Sequence, residues 1–341
     1  MPEKTYQRET LLESDMPEYT NDSHRPPKKC AAPFYPEGAL SCTPEGSARI
    51  KDRRSLEEAM RNGATVEALC TMCDCRTMQL TVEFPDGICG FIPRSEVGFN
   101  PDGGDIKDIA VITRVGKPVQ FKILDIYEDE NGVLCAQLSR RAAQKECFEQ
   151  YISTLRPGDI IPARITHLEP FGAFCDIGCG IVSLLTVDRV SVSRISHPSD
   201  RFKSGGFITA IVSSVEESGR IYLSHRELLG TWEENASSFS AGQTVTGIIR
   251  SVEEYGIFVE LTPNLAGLAE AFEGALPGDS CSVYIKSIIP ERMKIKLVII
   301  DSFGKAAPTP CKYLVDPSLS HMSSWRYSPE NCSKTVETIF D

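Results

Sequence analysis

Two short aromatic motifs in the second half of the chain could bind flat ligands by stacking. Phe171 and Phe174 lie three positions apart with a glycine between them, and Tyr255 and Phe258 repeat that arrangement. Large rings on a solvated face of a β-sheet form platforms on which unpaired nucleobases stack. The alternative reading is that the four rings pack into hydrophobic cores.

The residues around each motif alternate as in a half-buried strand. Cys175 and Ile177 alternate with Phe174 and Asp176, so the apolar pair is expected inside and Phe174 shares the solvent face with the carboxylate. The second motif repeats this pattern with Glu260 in the acidic position. A spacing of three breaks strict alternation, and we expect the intervening glycine to allow a bulge that turns both rings to one face.

The motifs belong to an internal repeat. The segment beginning at Pro157 matches the segment beginning at Ala241, with their motif glycines 84 residues apart, and a weaker third copy begins at Gly63. Each copy reads as short strands rich in Val, Ile and Phe and broken by turn residues. Five strands in roughly 70 residues is the strand count of an OB-type barrel. The sequence therefore predicts a mainly β fold of three tandem five-stranded OB-fold barrels joined by short helical linkers.

The ends of the chain differ from the repeats. Seven prolines and little periodicity predict disorder at the N-terminus, and Ser328 followed by Pro329 resembles a helix start that predicts a short helix over 332–340. The predicted units are a disordered segment 1–54, a degenerate barrel 55–140, a helical linker 141–156, a barrel 157–226, a helical linker 227–240, a barrel 241–301 and a tail 302–341.

The middle copy resembles the S1-type RNA-binding domain, which is repeated in bacterial small-subunit ribosomal protein S1. The resemblance rests on EPFGAFCDIG, RISHPSDRF and GRIYLSHREL, and it covers roughly residues 55–300. It implies that two strand aromatics, a third-strand position occupied by histidine in the family, and an acidic and basic pair on the last hairpin contact RNA. Carried over by position, these residues are Phe171, Phe174, Ser183, Glu216 and Arg220, with Ser183 replacing the family histidine.

The third copy keeps only part of this set. Tyr255 and Phe258 remain, Glu270 takes the histidine position, and Lys294 replaces the arginine. Its long connection is also about eleven residues shorter, so we expect weaker RNA contact from this barrel. The basic residues of the longer loop, which have no counterpart there and are candidate phosphate contacts, are Arg189, Arg194, Arg201 and Lys203.

The first copy departs furthest from the resemblance. Met78 and Leu80 lie near the aromatic positions, Pro93 takes the histidine position, and Cys135 takes the arginine position. Its GFIPRSEV and LSRR nevertheless resemble the leading repeats of the family, which lean toward docking on protein partners. The resemblance thus implies a scaffold role for the first barrel.

The net charge of −11 at first argues against a nucleic-acid binder. The stretch 55–140 carries 8 basic against 14 acidic residues, whereas 157–224 carries 6 against 7. Within the middle copy, 186–203 has four basic and two acidic residues, a local charge of +2 that could meet phosphates. The balance predicts modest, salt-sensitive affinity and argues against nonspecific duplex binding.

The 13 cysteines are too few for a disulfide scaffold, so free thiols are expected. A zinc site is one interpretation of three closely spaced cysteines, Cys70, Cys73 and Cys75. Their spacing is not that of a zinc knuckle, and Cys70 is expected on the opposite strand face from the other two, so we expect no metal and no cofactor. Cys175 and Cys179 flank a turn and could meet, but a cytosolic disulfide is not expected.

Other function classes find little support in the sequence. No nucleophile and base pair, paired acids, phosphate loop or metal triad appears, so no enzyme is expected. The sequence contains neither an apolar membrane segment nor a signal peptide, so we expect a cytoplasmic protein without a membrane partner, acting as a monomer.

Two hypotheses from different classes remain. In the first, the second and third barrels hold single-stranded mRNA while the first attaches to the small ribosomal subunit. In the second, the chain is a protein-interaction adapter or an accessory factor of RNA decay, and RNA binding is secondary.

Overall fold

Three closed five-stranded barrels follow one another along the chain in the computed structural model, which describes residues 34–101, 103–307 and 311–340. The prediction of three tandem OB-fold barrels is therefore confirmed. In each, the first three strands form a meander, and a parallel contact between the third and fifth strands helps close the barrel. The strands are β1 Val66–Asp74, β2 Gln79–Glu83, β3 Cys89–Ile92, β4 Pro118–Glu128, β5 Leu134–Ser139, β6 Ile160–Glu169, β7 Gly172–Asp176, β8 Val182–Thr186, β9 Phe207–Val215, β10 Ile221–Ser224, β11 Thr244–Glu253, β12 Gly256–Thr262, β13 Leu265–Ala269, β14 Asp279–Ile289 and β15 Lys294–Lys305.

Each barrel is filled by the inward residues of its alternating strands. Strand β15 shows the rule, because Ile295, Leu297 and Ile299 are buried while Lys294 and Lys296 are exposed. Successive side chains of a strand point to opposite faces, so one apolar set enters the core. Burying each such aliphatic side chain stabilises the fold by about 1.5–3 kcal/mol.

Short helices cap and connect the barrels. Asp52 caps α2 (Arg53–Arg61) by accepting a hydrogen bond from the backbone N–H of Ser55 at 2.9 Å, and Ser139 caps α4 (Arg140–Gln150) by accepting one from Ala142 at 2.8 Å. Among the described residues, no helix has both the length and the apolar character needed to cross a membrane. The helices are α1 Pro44–Ala48, α2 Arg53–Arg61, α3 Asp108–Ile112, α4 Arg140–Gln150 and α5 Trp232–Ala236, and the 3-10 turns are Leu40–Cys42, Pro85–Gly87, Arg94–Glu96, Ile152–Thr154, Val187–Arg189, Pro198–Asp200, Arg226–Leu229 and Pro290–Arg292.

The N-terminal strap, residues 34–52, joins the first two barrels. The carboxylate of Glu37 accepts a hydrogen bond from Arg140 Nε at 2.8 Å, and the backbone N–H of Glu37 donates to Asp176 at 2.7 Å. The expectation of disorder over 1–54 is therefore wrong for 34–54, while 1–33 lies outside the described residues. Partners 103 and 139 residues away leave no local sequence pattern that would reveal the contact.

The C-terminal tail forms a β-hairpin instead of the predicted helix. Its strands are β16 Ser324–Arg326 and β17 Glu337–Ile339, which pair antiparallel in a sheet that is not closed. Trp325 and Tyr327 are buried in the third barrel's core, and their spacing of two is the period of a strand. Phe340 packs with residues of the second barrel, so the tail joins these two barrels.

The cysteines that the structure describes are all free thiols. A bulge between Cys70 and Met72 changes the alternation of β1, so that both Cys70 and Cys73 pack on the core of the first barrel. The expectation that they face opposite sides is wrong for this reason. The thiol of Cys179 is hydrogen-bonded to Cys147, a residue of α4.

Candidate nucleic-acid interface

A row of side chains crosses the outer face of the second barrel. His167 on β6 pairs with Phe174 on β7, Phe174 pairs with Leu184 on β8, and Leu184 pairs with Tyr222 on β10. Paired residues of neighbouring strands project to the same face, so the four side chains are adjacent. The row alternates in sequence with core residues, which turns it toward the surface.

Phe171 and Phe174 form an exposed aromatic corner on this row. Their ring centroids are 5.9 Å apart at 89°, and the His167 ring lies nearly parallel to Phe174 at 6.4 Å. Phe171 is 54% exposed and Phe174 is half-buried, so neither ring is enclosed in the barrel. The arrangement leaves ring surface open to a flat ligand.

The glycine between the rings, Gly172, does not form the predicted bulge but allows two strands to pack closely. Strand β7 pairs regularly with β8, whereas the bulge lies in β6 between Ile165 and His167. A Cβ on Gly172 would lie 2.5 Å from the carbonyl oxygen of Leu185, so close strand packing excludes a larger residue. Phe171 precedes β7, and strand alternation therefore does not constrain it.

The third barrel has a similar aromatic corner, but no rings stand at the flanking positions of its row. Tyr255 and Phe258 have ring centroids 6.1 Å apart at 86°, and Tyr255 is 70% exposed. Phe258 pairs with Ser251 and Leu268, and Leu268 pairs with Lys296. The flanking positions are therefore a hydroxyl and an ammonium instead of two rings.

Both carboxylates expected beside these aromatics are buried, which corrects the prediction. Asp176 accepts hydrogen bonds from the backbone N–H groups of Glu37, Gly178 and Gly180 at 2.7, 2.9 and 3.0 Å. Burial raises the pKa of Asp176 to about 7, and the neighbouring Glu37 charge acts in the same direction. Glu260 is buried between barrels and accepts a hydrogen bond from Arg250 Nε at 2.7 Å.

The predicted phosphate contact Arg201 is likewise wrong. Its side chain is fully buried and paired with Glu260 of the third barrel, while Arg250 bridges Glu260 and Asp200, the latter at 3.3 Å. The 186–203 loop thus joins two barrels, which explains why a basic residue there is unavailable to RNA. Of the other basic candidates in the loop, Arg194 and Lys203 are exposed and Arg189 is half-buried.

Ser183 is also removed from the surface. It pairs with the core residue Cys175, and its hydroxyl donates to the carbonyl oxygen of Ile221. The counterpart of Glu270 under the 84-residue repeat is Thr186, which pairs with Gly172 at the aromatic corner. Ser183 and Glu270, both assigned to the family histidine position, are therefore not equivalent to each other, and the offset between the motif glycines matches Thr186 to Glu270.

The last hairpin presents Glu216 and Arg220 to solvent. The Glu216 N–H donates to the Arg220 carbonyl oxygen at 2.9 Å, which closes the turn. The Glu216 carboxylate accepts a hydrogen bond from the Tyr222 hydroxyl, and this raises the pKa of Tyr222. Lys294, the counterpart of Arg220 in the third barrel, is exposed at the start of β15.

A cavity of about 450 Å³ adjoins the row of the second barrel. Phe174, Arg220 and Tyr222 of the second barrel line it together with Phe99 from the first barrel and Phe148 from α4. The structure thus brings Phe174 and Arg220 together, two of the residues predicted from the sequence. Tyr255, Phe258 and Lys294 belong to the separate face of the third barrel.

Four aromatic groups of this region were missed at the sequence level. Alternation from Ile221 and Leu223, both buried, would have identified Tyr222 as an outward residue. His167 is displaced by the bulge in β6, which no local pattern marks. Phe99 and Phe148 lie outside the second barrel, so only the packing of the barrels brings them to the cavity.

The curated proteins similar to this chain include bS1 proteins of the small ribosomal subunit. A bS1 homolog of the small ribosomal subunit from Bacillus cereus is 31% identical over 191 residues, covering 53% of this chain and 47% of that protein. Small ribosomal subunit protein bS1 of Staphylococcus aureus is 26% identical over 318 residues, covering 86% and 76% respectively. The chain resembles the bS1 proteins. No family model matches it.

The match to these bS1 relatives is partial. The chain spans about half the length of the Bacillus cereus homolog, with 47% of that protein aligned. A multidomain protein with nucleic acid binding domains from Streptococcus pneumoniae is 15% identical, with a TM-score of 0.23 over 70% of this chain and 74% of its own.

Proposed function

We propose that the chain is a single-stranded RNA-binding protein of the translation machinery that holds RNA on the second barrel. The observation that carries the proposal is the outward row His167–Phe174–Leu184–Tyr222 with exposed Phe171 at its corner. Every nucleobase has a π-face, so stacking on such a platform tolerates many sequences. Its resemblance to bS1 proteins supports a place in the cytoplasmic translation machinery. The chemistry is binding, with no bond made or broken.

Few cations are placed to meet phosphates, and this sets the expected character of binding. Arg201 is committed to Glu260, which leaves Arg194, Lys203 and Arg220 as exposed cations of this barrel. Affinity in this site therefore comes mainly from stacking, and the dependence on salt should be shallower than the charge balance of the loop predicted, because Arg201 is unavailable. The overall charge of −11 acts in the same direction by opposing long-range attraction of RNA.

The first barrel is suited to docking on a protein of the small ribosomal subunit. Its row has Thr81 where the second barrel has Phe174, and Phe91 takes the place of Leu184, so the corner of two rings is missing. It exposes apolar side chains instead, with Met72 54% and Ile109 64% exposed. Exposed apolar surface of this kind favours protein contact over contact with a polyanion.

A second candidate function, a protein adapter, draws support from the third barrel. The paired strands β14 and β15 expose Tyr284, Val298 and Ile300 to solvent, and Phe303 is 61% exposed. This apolar surface would suit a protein partner independently of RNA.

Fluorescence anisotropy with a labelled oligouridine separates the two functions. Replacing Phe174→Ala removes a stacking platform worth about 1–3 kcal/mol per base, so RNA affinity should fall about five- to 150-fold. Phe303→Ala, which also removes an exposed ring, serves as the control and should leave affinity unchanged. Unchanged affinity in Phe174→Ala, with the variant still folded, would favour the adapter.

Attachment to the small subunit is tested with surface variants. Ile109→Asp and Met72→Asp place charges on exposed positions without opening a core, so folding should persist. We expect both to reduce cosedimentation with the small subunit. Full retention of both variants would remove the docking role from the first barrel.

A further inference from the structure

The cavity beside the second barrel is built from three separate parts of the chain. The second barrel contributes Phe174 and Tyr222, the linker helix α4 contributes Phe148, and the segment following β3 of the first barrel contributes Phe99. Phe99 and Phe148 are themselves in contact, with ring centroids 5.7 Å apart at 55°. Aromatic rings from both barrels and from the linker helix therefore line one cavity of about 450 Å³.

One buried side chain holds the two sides in position. The Gln144 side-chain amide oxygen accepts a hydrogen bond from the Phe99 backbone N–H at 2.8 Å, and its amide nitrogen donates to the Cys179 carbonyl oxygen at 3.0 Å. Gln144 lies on α4, so this amide ties the first barrel's segment to the second barrel through the linker helix. Gln144 also lines the cavity, and its amide keeps a second N–H donor beyond these two bonds.

The two barrels are further fixed by the strap. Glu37 is buried and paired with Arg140, the first residue of α4, at 2.8 Å and with Arg114 of the first barrel at 3.3 Å, while its N–H donates to Asp176 of the second barrel. Burial raises the cost of separating such charges. The spacing between Phe148 and the sheet face is therefore a fixed property of the fold, which suits a preformed pocket.

The chemistry of the cavity matches an unpaired base with its backbone. The rings supply π-faces, Arg220 lines the edge with a guanidinium that can meet a phosphate, and Ser218 adds a hydroxyl. A base that leaves its strand can enter between rings and be stacked on both faces. We propose that this cavity holds one unpaired nucleobase of the bound RNA, so that α4 and the first barrel form part of the RNA site. The proposal rests on the proposed function, because it adds Phe99 and Phe148 to the same platform as a second wall.

The experiment compares variants of the second wall with one of the platform. The probe is an oligouridine of about twelve nucleotides, within the roughly 4 to 16 that one OB fold covers, and a second copy carries 2-aminopurine at successive positions. Phe148→Ala and Phe99→Ala remove the ring surface that comes from outside the second barrel. Val182→Trp fills the cavity from an exposed position, since Val182 lines it and is 48% exposed. Phe171→Ala is the matched control, a stacking ring that does not line the cavity.

In wild-type protein, we expect one 2-aminopurine position to show a distinctly larger fluorescence change than its neighbours. Phe148→Ala and Val182→Trp should each abolish that difference and weaken binding about five-fold or more. Phe171→Ala should weaken binding while the distinct position persists. Thermal unfolding and circular dichroism verify that each variant is folded, and Val182→Trp provides the test should Phe148→Ala fail to fold.

Two different failures are distinguishable. If wild-type protein binds RNA and Phe174→Ala weakens it, but Phe99→Ala, Phe148→Ala and Val182→Trp bind as wild type, the second wall is not part of the site and the proposed function stands. If wild-type protein does not bind the oligouridine at all, the proposed function fails with it.

Discussion

The second and third barrels have the same strand register but present different faces. Both rows contain a phenylalanine followed by a leucine, and both have an exposed aromatic residue at the preceding corner. The row of the second barrel is flanked by His167 and Tyr222, whereas that of the third is flanked by Ser251 and Lys296. A shared fold therefore fixes where side chains project, and the individual residues decide what can bind there.

Neighbouring parts of the chain enlarge this difference. The linker helix α4 and the first barrel add Phe148 and Phe99 beside the second barrel's row and create a cavity there. Tyr255 of the third barrel is 70% exposed, compared with 54% for Phe171. A repeat can thus acquire a deeper site through its neighbours, without any change in its strands.

The largest expected effect comes from removing the group that holds the first two barrels together. Glu37→Ala leaves Arg140 and Arg114 buried without their carboxylate, and this should cost about 3–5 kcal/mol of unfolding free energy. Urea unfolding measures the loss, with Glu45→Ala of the same strap as the exposed control. A loss below about 1 kcal/mol would mean that the strap does not fix the second barrel's extra wall.

A buried histidine directly after β10 of the second barrel contacts the tail that reaches the third. His225 Nδ1 lies 3.0 Å from the Val190 carbonyl oxygen and Nε2 lies 3.3 Å from the Tyr313 hydroxyl. Burial lowers the pKa of His225 to about 4, so the folded state favours its neutral form. The stability that follows from keeping His225 neutral is fully present above the pKa of the unfolded state, near 6.5. It is lost as pH falls toward 4, and the total loss in unfolding free energy is about 3 kcal/mol.

His225→Gln should therefore flatten the decrease in unfolding free energy between pH 6.5 and 4. Using the difference between variant and wild type cancels the contribution of Asp176, whose raised pKa acts with the opposite sign over the same interval. The exposed His167→Gln is the control. Parallel pH profiles for wild type and His225→Gln would contradict the assignment.

The direct test of the comparison is a pair of alanine variants at equivalent positions. Phe174→Ala should cost about 1–3 kcal/mol of RNA binding, and Phe258→Ala should cost less than about 1 kcal/mol, because only the second barrel has rings on either side. Anisotropy titration of both variants against one oligouridine measures the ratio. Equal losses would show that the two faces contribute alike and that the flanking residues are unimportant.

The smallest effect concerns the cation on each last hairpin. Arg220→Gln should reduce the slope of log affinity against log salt by about 0.7, the value for one phosphate of a single strand. Lys294→Gln should change this slope less, since the third barrel is expected to contact less RNA. Titrations over a range of salt concentrations measure both slopes, and a larger change for Lys294→Gln would reverse the ranking of the two barrels.

Local patterns in the sequence determined the barrels and the aromatic corners. The 84-residue repeat, the period-two alternation and the turn residues can all be read directly from the sequence. They predicted three OB folds and placed Phe174 and Phe258 near the surface. The same offset between the repeats would have matched Thr186, and not Ser183, to Glu270 of the third barrel. Alternation failed at His167, where a bulge intervened, and at Asp176, which the distant strap covers.

Only the tertiary structure decided which polar groups face RNA and which join the barrels. Arg201 and Glu260 are paired although 59 residues separate them, and Glu37 meets Asp176 across 139 residues. A charged side chain looks the same in sequence whether it is solvated or desolvated by a distant partner, because its burial depends on the packing of whole domains. For this reason the aromatic platform could be read from local spacing, whereas its second wall and its surrounding charges could not.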